Sequence, residues 1–303
     1  MAVNLAMESP RSHWRLKILG DNHRARFFRE RWQLLNPARL LSGSSTGSTT
    51  GVTAYLVVVP VNQRGTLVAD LLTAGHPVIV EPPLTTTLQE ALELFALAER
   101  HGAALRVIAL RRTEPDYLAA TMALAPGRIG SPVGIRWYAA EYAVWADAAA
   151  ADYRRGETFA LAAPPLFDQL AGLVTAEPRT VRAVAYPAED GFAIEVTFTD
   201  GCQARLEIRR MARVALRTGW MIEGTTGSYH HGKLITTTAD GELVDESITT
   251  EAFAIDPVQE LETAGTLTSM SAEEQRRGLF SAGLYEAAAR SLLTGQPVEW
   301  NSL

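Results

Sequence analysis

Residues 53–102 alternate twice between a short apolar run and a helical pattern, which leaves few folds open to the chain. The run at 55–59 is continuously apolar, as expected for a parallel strand covered on both faces. It ends at Pro60, and leucines at helical spacing predict a helix over 65–74. Residues 78–80 form a second apolar run before the next predicted helix. Two strand–helix units in succession predict a doubly wound parallel sheet with right-handed crossovers.

The second of these helices carries a recognisable start. Thr87 and Glu90 have the Thr-x-x-Glu spacing of a capping box, in which each side chain satisfies a backbone N–H group of the other residue. The helix is predicted to end at Gly102, because glycine is the residue type most typical of a helix C-terminus.

The residues before this stretch resemble a phosphate-binding turn. A short apolar run at 16–19 leads into Gly20, and a helix is predicted over 24–35. A dinucleotide fold usually reads Gly-x-Gly-x-x-Gly here, so that backbone N–H groups and a helix N-terminus approach a pyrophosphate. The chain has Gly20, Asn22 and Ala25 at these positions, and Asn tolerates positive φ better than other non-glycine residues. An ordinary strand–helix turn is the alternative interpretation.

Hydroxyl side chains stand where an NAD-binding domain usually has an acidic residue. Residues 38–41 are predicted to form the second strand, and Ser42, Ser44 and Ser45 follow it. An acidic residue here would hold the ribose hydroxyls of NAD, whereas hydroxyls and backbone amides, with Arg39 or Arg64 nearby, would hold a 2′-phosphate. The sequence therefore favours NADP(H) over NAD(H). A truncated loop that binds no cofactor is the alternative.

The C-terminal part is predicted to form a second domain, at residues 128–303, after a nucleotide-binding domain at 1–127. Alternating polarity and Asp-Gly hairpin turns predict a large, mostly antiparallel open sheet, followed by a helix over 273–293. The predicted strands are 133–138, 181–186, 193–199, 202–209, 219–223, 228–231 and 233–238. The fold class is therefore α/β, a Rossmann-like parallel sheet plus an α+β domain. The free face of the open sheet suggests a homodimer or higher homo-oligomer.

Composition excludes several classes of partner. The net charge of −6 gives no reason to expect binding to nucleic acid or to an anionic membrane. No apolar run approaches the roughly 20 residues that a membrane span needs. Cys202 is the single cysteine, which rules out an intrachain disulfide and fits a reducing cytoplasm. No His or Cys spacing predicts a metal site.

Six segments together resemble the Gfo/Idh/MocA oxidoreductases. The matching segments are 54–60, 71–84 and 88–102 in the nucleotide domain, and 128–142, 222–229 and 279–300 in the C-terminal domain. The resemblance implies a two-domain fold, a nicotinamide dinucleotide and a small-molecule substrate.

The residues that carry the chemistry in this family are replaced here. The family uses a Lys in a Glu-Lys-Pro turn, and an Asp and a His at the start of a helix, to exchange protons with its substrate. The resemblance places Pro82 at the Lys position, Leu161 at the Asp position and Pro165 at the His position. None of these side chains transfers a proton, so the sugar-dehydrogenase mechanism is excluded.

One branch of the family, the thiazolinyl imine reductases, also departs from this set, and residues 40–44, 57–59 and 78–84 are similar to it. That branch carries a His at the middle position of the Glu-x-Pro turn, where this chain has Pro82. An imine nitrogen is more basic than a carbonyl oxygen, so its reduction needs less acid catalysis. The candidate proton donors and acid–base residues are Tyr138, Tyr142, His230 and Asp168, and solvent is the alternative proton donor. Each also has an ordinary structural interpretation, in the core, at an interface or in a hairpin.

Other candidate contacts follow from strand ends. Pro60, Glu81 and Pro83 come directly after predicted parallel strands, so we predict that they contact a cofactor, with Glu81 near the nicotinamide. Arg111 and Arg112 end a further strand and would bind an acidic group of a substrate. Trp137 would line a pocket for a flat substrate.

Two functional hypotheses remain. The first is an NADP-dependent reductase of an imine-like or carbonyl group in a secondary metabolite. The second is a non-redox protein of the same fold that binds a ligand or a partner, with a decayed cofactor site. Retention of the strand–helix framework favours the first hypothesis, and the loss of Lys, His and the middle glycine favours the second.

Overall fold

Two sheets and six α-helices make up the part of the chain that the computed structural model describes. These residues are 15–35, 53–142, 158–186, 191–238, 240–248, 250 and 271–303. The predicted strand at 38–41 and the residues Ser42, Ser44 and Ser45 lie outside them. The described helices include none that is long and apolar enough to cross a membrane.

The first sheet is parallel and has the strand order β1-β2-β3-β4. Its strands are β1 (Arg15–Leu19), β2 (Thr53–Val57), β3 (Val78–Val80) and β4 (Leu105–Val107). Its helices are α1 (His23–Leu35), α2 (Val61–Thr73) and α3 (Leu88–His101). Phe28 and Trp32 of α1 are buried in one apolar cluster with β1 and β2, while α2 and α3 bury Val68, Leu72 and Phe95 in another. Cover on both faces explains the continuous apolar runs.

Helix α3 has half of the predicted capping box. The Thr87 hydroxyl accepts a hydrogen bond from the Glu90 N–H group at 3.3 Å. The Glu90 carboxylate lies instead against Gly65 of α2, where a Cβ would collide with it. The helix ends at Gly102, which is left-handed with φ +59°. The predicted bounds are therefore confirmed, but Glu90 packs between two helices rather than back on Thr87.

The second sheet has nine strands in the order β12-β11-β10-β9-β5-β8-β7-β6-β13, and only the β5–β8 pair is parallel. The strands are β5 (Pro132–Tyr142), β6 (Pro178–Tyr186), β7 (Gly191–Phe198), β8 (Gln203–Arg209), β9 (Met211–Gly224), β10 (Gly227–His230), β11 (Lys233–Thr237), β12 (Leu243–Ser247) and β13 (Val298–Glu299). The predicted fold class is confirmed. The sequence analysis missed the two edge strands, because β12 is exposed throughout and β13 has two residues.

Three helices cover one face of this sheet: α4 (Pro115–Ala123), α5 (Thr158–Leu173) and α6 (Ala272–Thr294). The large core beneath them includes Trp137, Phe167, Trp220 and Phe280. On β5, Ile135 and Trp137 point into this core, so the intervening Arg136 is exposed on the opposite, open face.

Helix α6 also packs against the first sheet and its helices. Its Glu286 carboxylate accepts the Leu88 N–H group at the start of α3, at 2.9 Å. Its Glu274 pairs with Arg106 of β4 through a bond of 2.7 Å from the Arg106 Nε atom. One helix therefore contacts both sheets and ties the two parts of the chain together.

Candidate functional site

A cleft of about 490 Å³ lies where the parallel strands of the first sheet end. Loops after all four strands line it, and α5 of the second domain closes the other side. The lining residues are Asn22, Arg24, Val58, Val59, Pro60, Val61, Asn62, Arg64, Glu81, Pro82, Pro83, Ala109, Leu110, Arg111, Ala160, Leu161, Ala162 and Pro165. Open α/β sheets bind their ligands at this edge.

The turn after β1 requires a glycine. Gly20 has φ +129°, and a Cβ there would collide with the carbonyl oxygen of Val58. Val58 itself donates its N–H group to the Leu19 carbonyl at 2.8 Å, so the two loops are in direct contact. Ala25 is fully buried beneath the turn. The predicted roles of Gly20 and Ala25 in a tight strand–helix turn therefore have a geometric basis.

Asn22 does not replace the middle glycine in the way predicted. His231 is the only non-glycine residue with positive φ in the described part of the chain, so Asn22 has an ordinary backbone conformation. Its side-chain oxygen accepts the Ala25 N–H group at 2.9 Å, and its amide donates to the Val58 carbonyl at 3.0 Å. Asn22 therefore caps α1 and ties it to β2, and it occupies one N–H group at the helix N-terminus.

An ion pair joins the turn after β1 to the turn after β3. Arg24 donates from Nε to Glu81 at 2.9 Å and makes a second, parallel contact through Nη2. The Glu81 side chain is 12% exposed and that of Arg24 is 38% exposed. The carboxylate predicted to face the nicotinamide is thus neutralised by a guanidinium that the sequence analysis did not single out. Since 57 residues separate them, no local pattern could have shown the contact.

Arg64 supports the Glu-Pro-Pro turn and is not placed to bind a 2′-phosphate. Its guanidinium donates to the backbone carbonyls of Glu81 at 2.6 Å and Val59 at 3.0 Å, and also to that of Pro83. The side chain is buried, and this desolvation lowers the pKa of Arg64 to about 10. The geometry does not support Arg64 as the arginine beside a 2′-phosphate, because the carbonyls of the turn already engage its guanidinium. The alternative, Arg39, lies outside the described residues.

The two predicted substrate-binding arginines have different surroundings. Arg111 lines the cleft, and its guanidinium lies 5.4 Å from the centre of the Trp137 ring. Arg112 is absent from the lining and pairs with Asp168, with bonds of 2.7 Å and 2.5 Å to the two carboxylate oxygens. The Asp168 side chain is fully buried. Asp168 as an acid–base residue and Arg112 as a substrate ligand were therefore wrong, since each side chain is engaged with the other.

Of the remaining candidate proton donors, Tyr138 and His230 do not line the cleft. Tyr138 follows the inward-facing Trp137 directly along β5, so it lies on the open face of the sheet. His230 is exposed on β10 and follows the buried Tyr229, which places it on that same open face. Both predictions were wrong, because neighbouring residues of a strand point to opposite sides. Tyr142 ends β5, and its side chain lies outside the described residues.

The three replaced family positions do meet in the cleft. Pro82, Leu161 and Pro165 all line it. The lining contains no Lys, His, Tyr or Cys among the described residues, and Glu81 is its one carboxylate. No group of three or more His, Cys, Asp or Glu side chains in the described ranges is arranged to hold a metal ion. Glu81, which is paired with Arg24, is therefore the only carboxylic acid that the described walls offer for proton transfer.

Comparison with known proteins agrees with this architecture. Residues 6–109 match the model of the Gfo/Idh/MocA oxidoreductase family, described as having an NAD-binding Rossmann fold. An uncharacterised oxidoreductase of Schizosaccharomyces pombe is 39% identical over 84 residues, or 27% of this chain and 23% of the relative. The scyllo-inositol 2-dehydrogenase (NAD(+)) of Bacillus subtilis is 29% identical over 83 residues, 27% of this chain and 24% of the relative. Each alignment thus spans about a quarter of the relative's length.

Solved structures match nearly the whole chain. The oxidoreductase YvaA of Bacillus subtilis has a TM-score of 0.75 at 16% identity, covering 96% of this chain and 99% of that one. An oxidoreductase of Agrobacterium radiobacter in complex with NAD+, L-tartaric acid and magnesium has a TM-score of 0.71 at 15% identity, covering 95% and 91%. At such identities the likeness concerns the fold.

The sheets and the cleft define a two-domain protein with a Rossmann-like domain and a large, mostly antiparallel second sheet. The match to the Gfo/Idh/MocA family model covers residues 6–109, and the solved structures share the two-domain fold over nearly the whole chain.

Proposed function

We propose that this protein is a nicotinamide-dinucleotide-dependent reductase that acts on an imine-like or carbonyl group of a small molecule. The observation that carries the proposal is the cleft at the carboxyl ends of four parallel strands, bounded by a glycine-dependent turn on one side and by α5 on the other. A hydride donor and its acceptor have to meet in such a space, away from bulk water.

The residues at the first turn fit a dinucleotide. The Gly20 turn and the start of α1 would hold the pyrophosphate, because a helix N-terminus favours anions. The first turn of α1 carries no acidic side chain to oppose this. Pro60 and Pro83 would border the nicotinamide end. When bound, the dinucleotide supplies a hydride, and the chain's own residues position both reactants.

The missing proton donor favours an imine over a carbonyl substrate. Glu81 is the single carboxylate of the described lining, and both of its oxygens accept hydrogen bonds from Arg24. An imine nitrogen takes its proton from water before reduction, so it tolerates this lining, whereas a carbonyl oxygen needs an acid at the moment of reduction. This reasoning keeps the thiazolinyl imine reductases as the proposed branch, although Pro82 replaces their His.

The proposed cofactor preference is NADP(H). It depends on Ser42, Ser44 and Ser45 in place of an acidic residue, all outside the described residues. The names of relatives point the other way, since the Bacillus subtilis dehydrogenase and the Agrobacterium radiobacter complex are both named with NAD+. Parallel titration with both cofactors decides between them.

A second candidate function is non-redox ligand binding. It is favoured by the Arg24–Glu81 ion pair, which bridges two loops that would flank a nicotinamide, and by the Asn22 side chain at the start of α1. Under this proposal the cleft binds a small molecule and the dinucleotide site has decayed.

Titration of the purified protein with NADPH and NADH, followed by nicotinamide fluorescence, tests the first proposal. We expect micromolar binding of NADPH, and at least about tenfold weaker binding by Gly20→Ala, because the added Cβ displaces the turn. Gly75→Ala is the matched control, since Gly75 also has positive φ but lies in open space. Oxidation of NADPH with 2-methyl-1-pyrroline, and not with cyclohexanone, is expected to follow.

Absence of binding of either cofactor at millimolar concentration would reject the reductase and leave the ligand-binding proposal. Binding of NADPH without its oxidation by either probe compound would count against the imine preference and favour the ligand-binding proposal. Equal losses in Gly20→Ala and Gly75→Ala would contradict the assigned turn.

A further inference from the structure

The guanidinium of Arg111 lines the cleft and is anchored by a carboxylate at its Nε edge only. Arg111 donates from Nε to a Glu114 oxygen at 2.6 Å, and its planar group lies over the Trp137 ring at 5.4 Å. Its two terminal nitrogens have no hydrogen-bond partner within the described part of the protein. The side chain is 32% exposed, and it lines the cleft.

The groups behind Arg111 are fixed to the core. Gln169, which is fully buried, donates its amide to the second Glu114 oxygen at 3.0 Å and to the Arg111 carbonyl at 2.5 Å. The Gln169 oxygen in turn accepts the indole N–H group of Trp220 at 3.1 Å. A buried chain of hydrogen bonds therefore orients Glu114, which orients Arg111. Such preorganisation lowers the entropy cost of binding a ligand at the guanidinium.

The other arginines near the cleft are committed elsewhere. Arg24 is engaged by the Glu81 carboxylate, Arg64 by three backbone carbonyls and Arg112 by Asp168. Because Glu81 is already paired, no carboxylate of the described lining faces Arg111 as a competitor, and Glu114 uses only its Nε side. The terminal edge of a guanidinium with two parallel N–H groups matches a carboxylate.

Another part of the cleft lining is apolar. It is formed by Leu110 and by the residues of α5 that face the space, namely Ala160, Leu161, Ala162 and Pro165. We propose that the substrate of this cleft carries a carboxylate, bound by the terminal nitrogens of Arg111, on an apolar body that packs against α5. The inference rests on the proposed function, because it names the substrate class of the same site.

Calorimetric titration of the full chain with matched acids and amides tests this. The probes are isovalerate, phenylacetate and 3-phenylpropionate, each beside its primary amide, with and without NADPH. We expect at least one acid to bind about 10- to 100-fold more tightly than its amide, the factor typical of a charge-assisted hydrogen bond. Arg111→Gln is expected to abolish that preference, and Arg111→Lys to keep only part of it. Arg182→Gln, an exposed arginine on β6, is the matched control.

Two variants keep the test independent of folding. If Arg111→Gln unfolds, Glu114→Gln serves instead, since it weakens the anchor at Nε and is expected to reduce the preference by a smaller factor. An equal affinity for acid and amide across the whole panel, or a preference that survives in Arg111→Gln, overturns the inference. Failure of NADPH binding with a retained, Arg111-dependent preference for acids would reject only the reductase.

Discussion

The positions of individual side chains determine which chemical groups line the cleft. The four candidate acid–base residues include a buried ion-paired Asp168 and two residues on the open face, Tyr138 and His230. The described lining consists of prolines, other apolar residues, three arginines, two asparagines and Glu81. Since Glu81 is paired with Arg24, chemistry in this space is expected to depend mainly on positioning and charge.

The buried pair between Arg112 and Asp168 is expected to act on stability. Asp168→Asn removes the charge that compensates the guanidinium, which typically costs about 3–5 kcal/mol when one partner of a buried pair is lost. Urea unfolding measures the free energy difference. Asp70→Asn, at an exposed position on α2, is the control and is expected to change it little. A loss in Asp168→Asn no larger than in the control would argue that the pair contributes no net stability.

The residues that line or border the cleft lie where helices begin and strands end. Asn22 begins α1 and Thr87 begins α3, and both caps lie next to loops of the cleft. Helix α5 keeps Pro164 and Pro165 inside its length, and this places Pro165 against the cleft. The cleft is thus defined by where elements start, which is a local property of the chain.

The cap of α3 is open to a direct test. Thr87→Ala removes the hydroxyl that accepts the Glu90 N–H group, and loss of such a cap costs about 1 kcal/mol. We expect a lower melting temperature in calorimetry with an unchanged circular dichroism spectrum. Thr66→Ala, at an exposed interior position of α2, should instead be neutral or stabilising. Equal melting temperatures for wild type and Thr87→Ala would show that the Glu286 carboxylate alone suffices at this helix start.

The two domains share one structural helix. Helix α6 contributes Ala282 to a core of the first domain and Leu284 to that of the second, and its two carboxylates bond to Arg106 and Leu88. Opening of one domain therefore disturbs the other.

Association through the open sheet face stays a prediction. That face carries paired charges such as Arg205 with Glu195 and Glu207.

The reactivity of the single cysteine can be used to measure unfolding of the protein. Cys202 is buried in the second core, and desolvation, assisted by the Asp200 carboxylate, raises the pKa of its thiol to about 11. Only the thiolate reacts with iodoacetamide, so at mildly alkaline pH we expect labelling only through unfolding. The rate should rise steeply near the urea midpoint and increase in Asp168→Asn. Rapid labelling of the folded protein would contradict the buried position.

The sequence alone predicted much of the architecture. Apolar runs at strand length, the Asp-Gly turns and the glycine after α3 predicted both sheets and most helix bounds, because each signal comes from neighbours a few residues apart. Pro82, Leu161 and Pro165, which the resemblance places at the family's proton-transfer positions, do line the cleft, and their replacement of that set stays a prediction.

Three-dimensional packing decided which polar groups meet. Arg24 lies 57 residues from Glu81, and Arg112 lies 56 residues from Asp168. The Arg111 anchor likewise depends on Gln169, from another helix. Such pairs form only when separate segments fold against each other. The residues next to a charged side chain in the sequence therefore do not reveal its partner. Local periodicity is a short-range property of the chain, whereas the pairing of buried charges belongs to the assembled core.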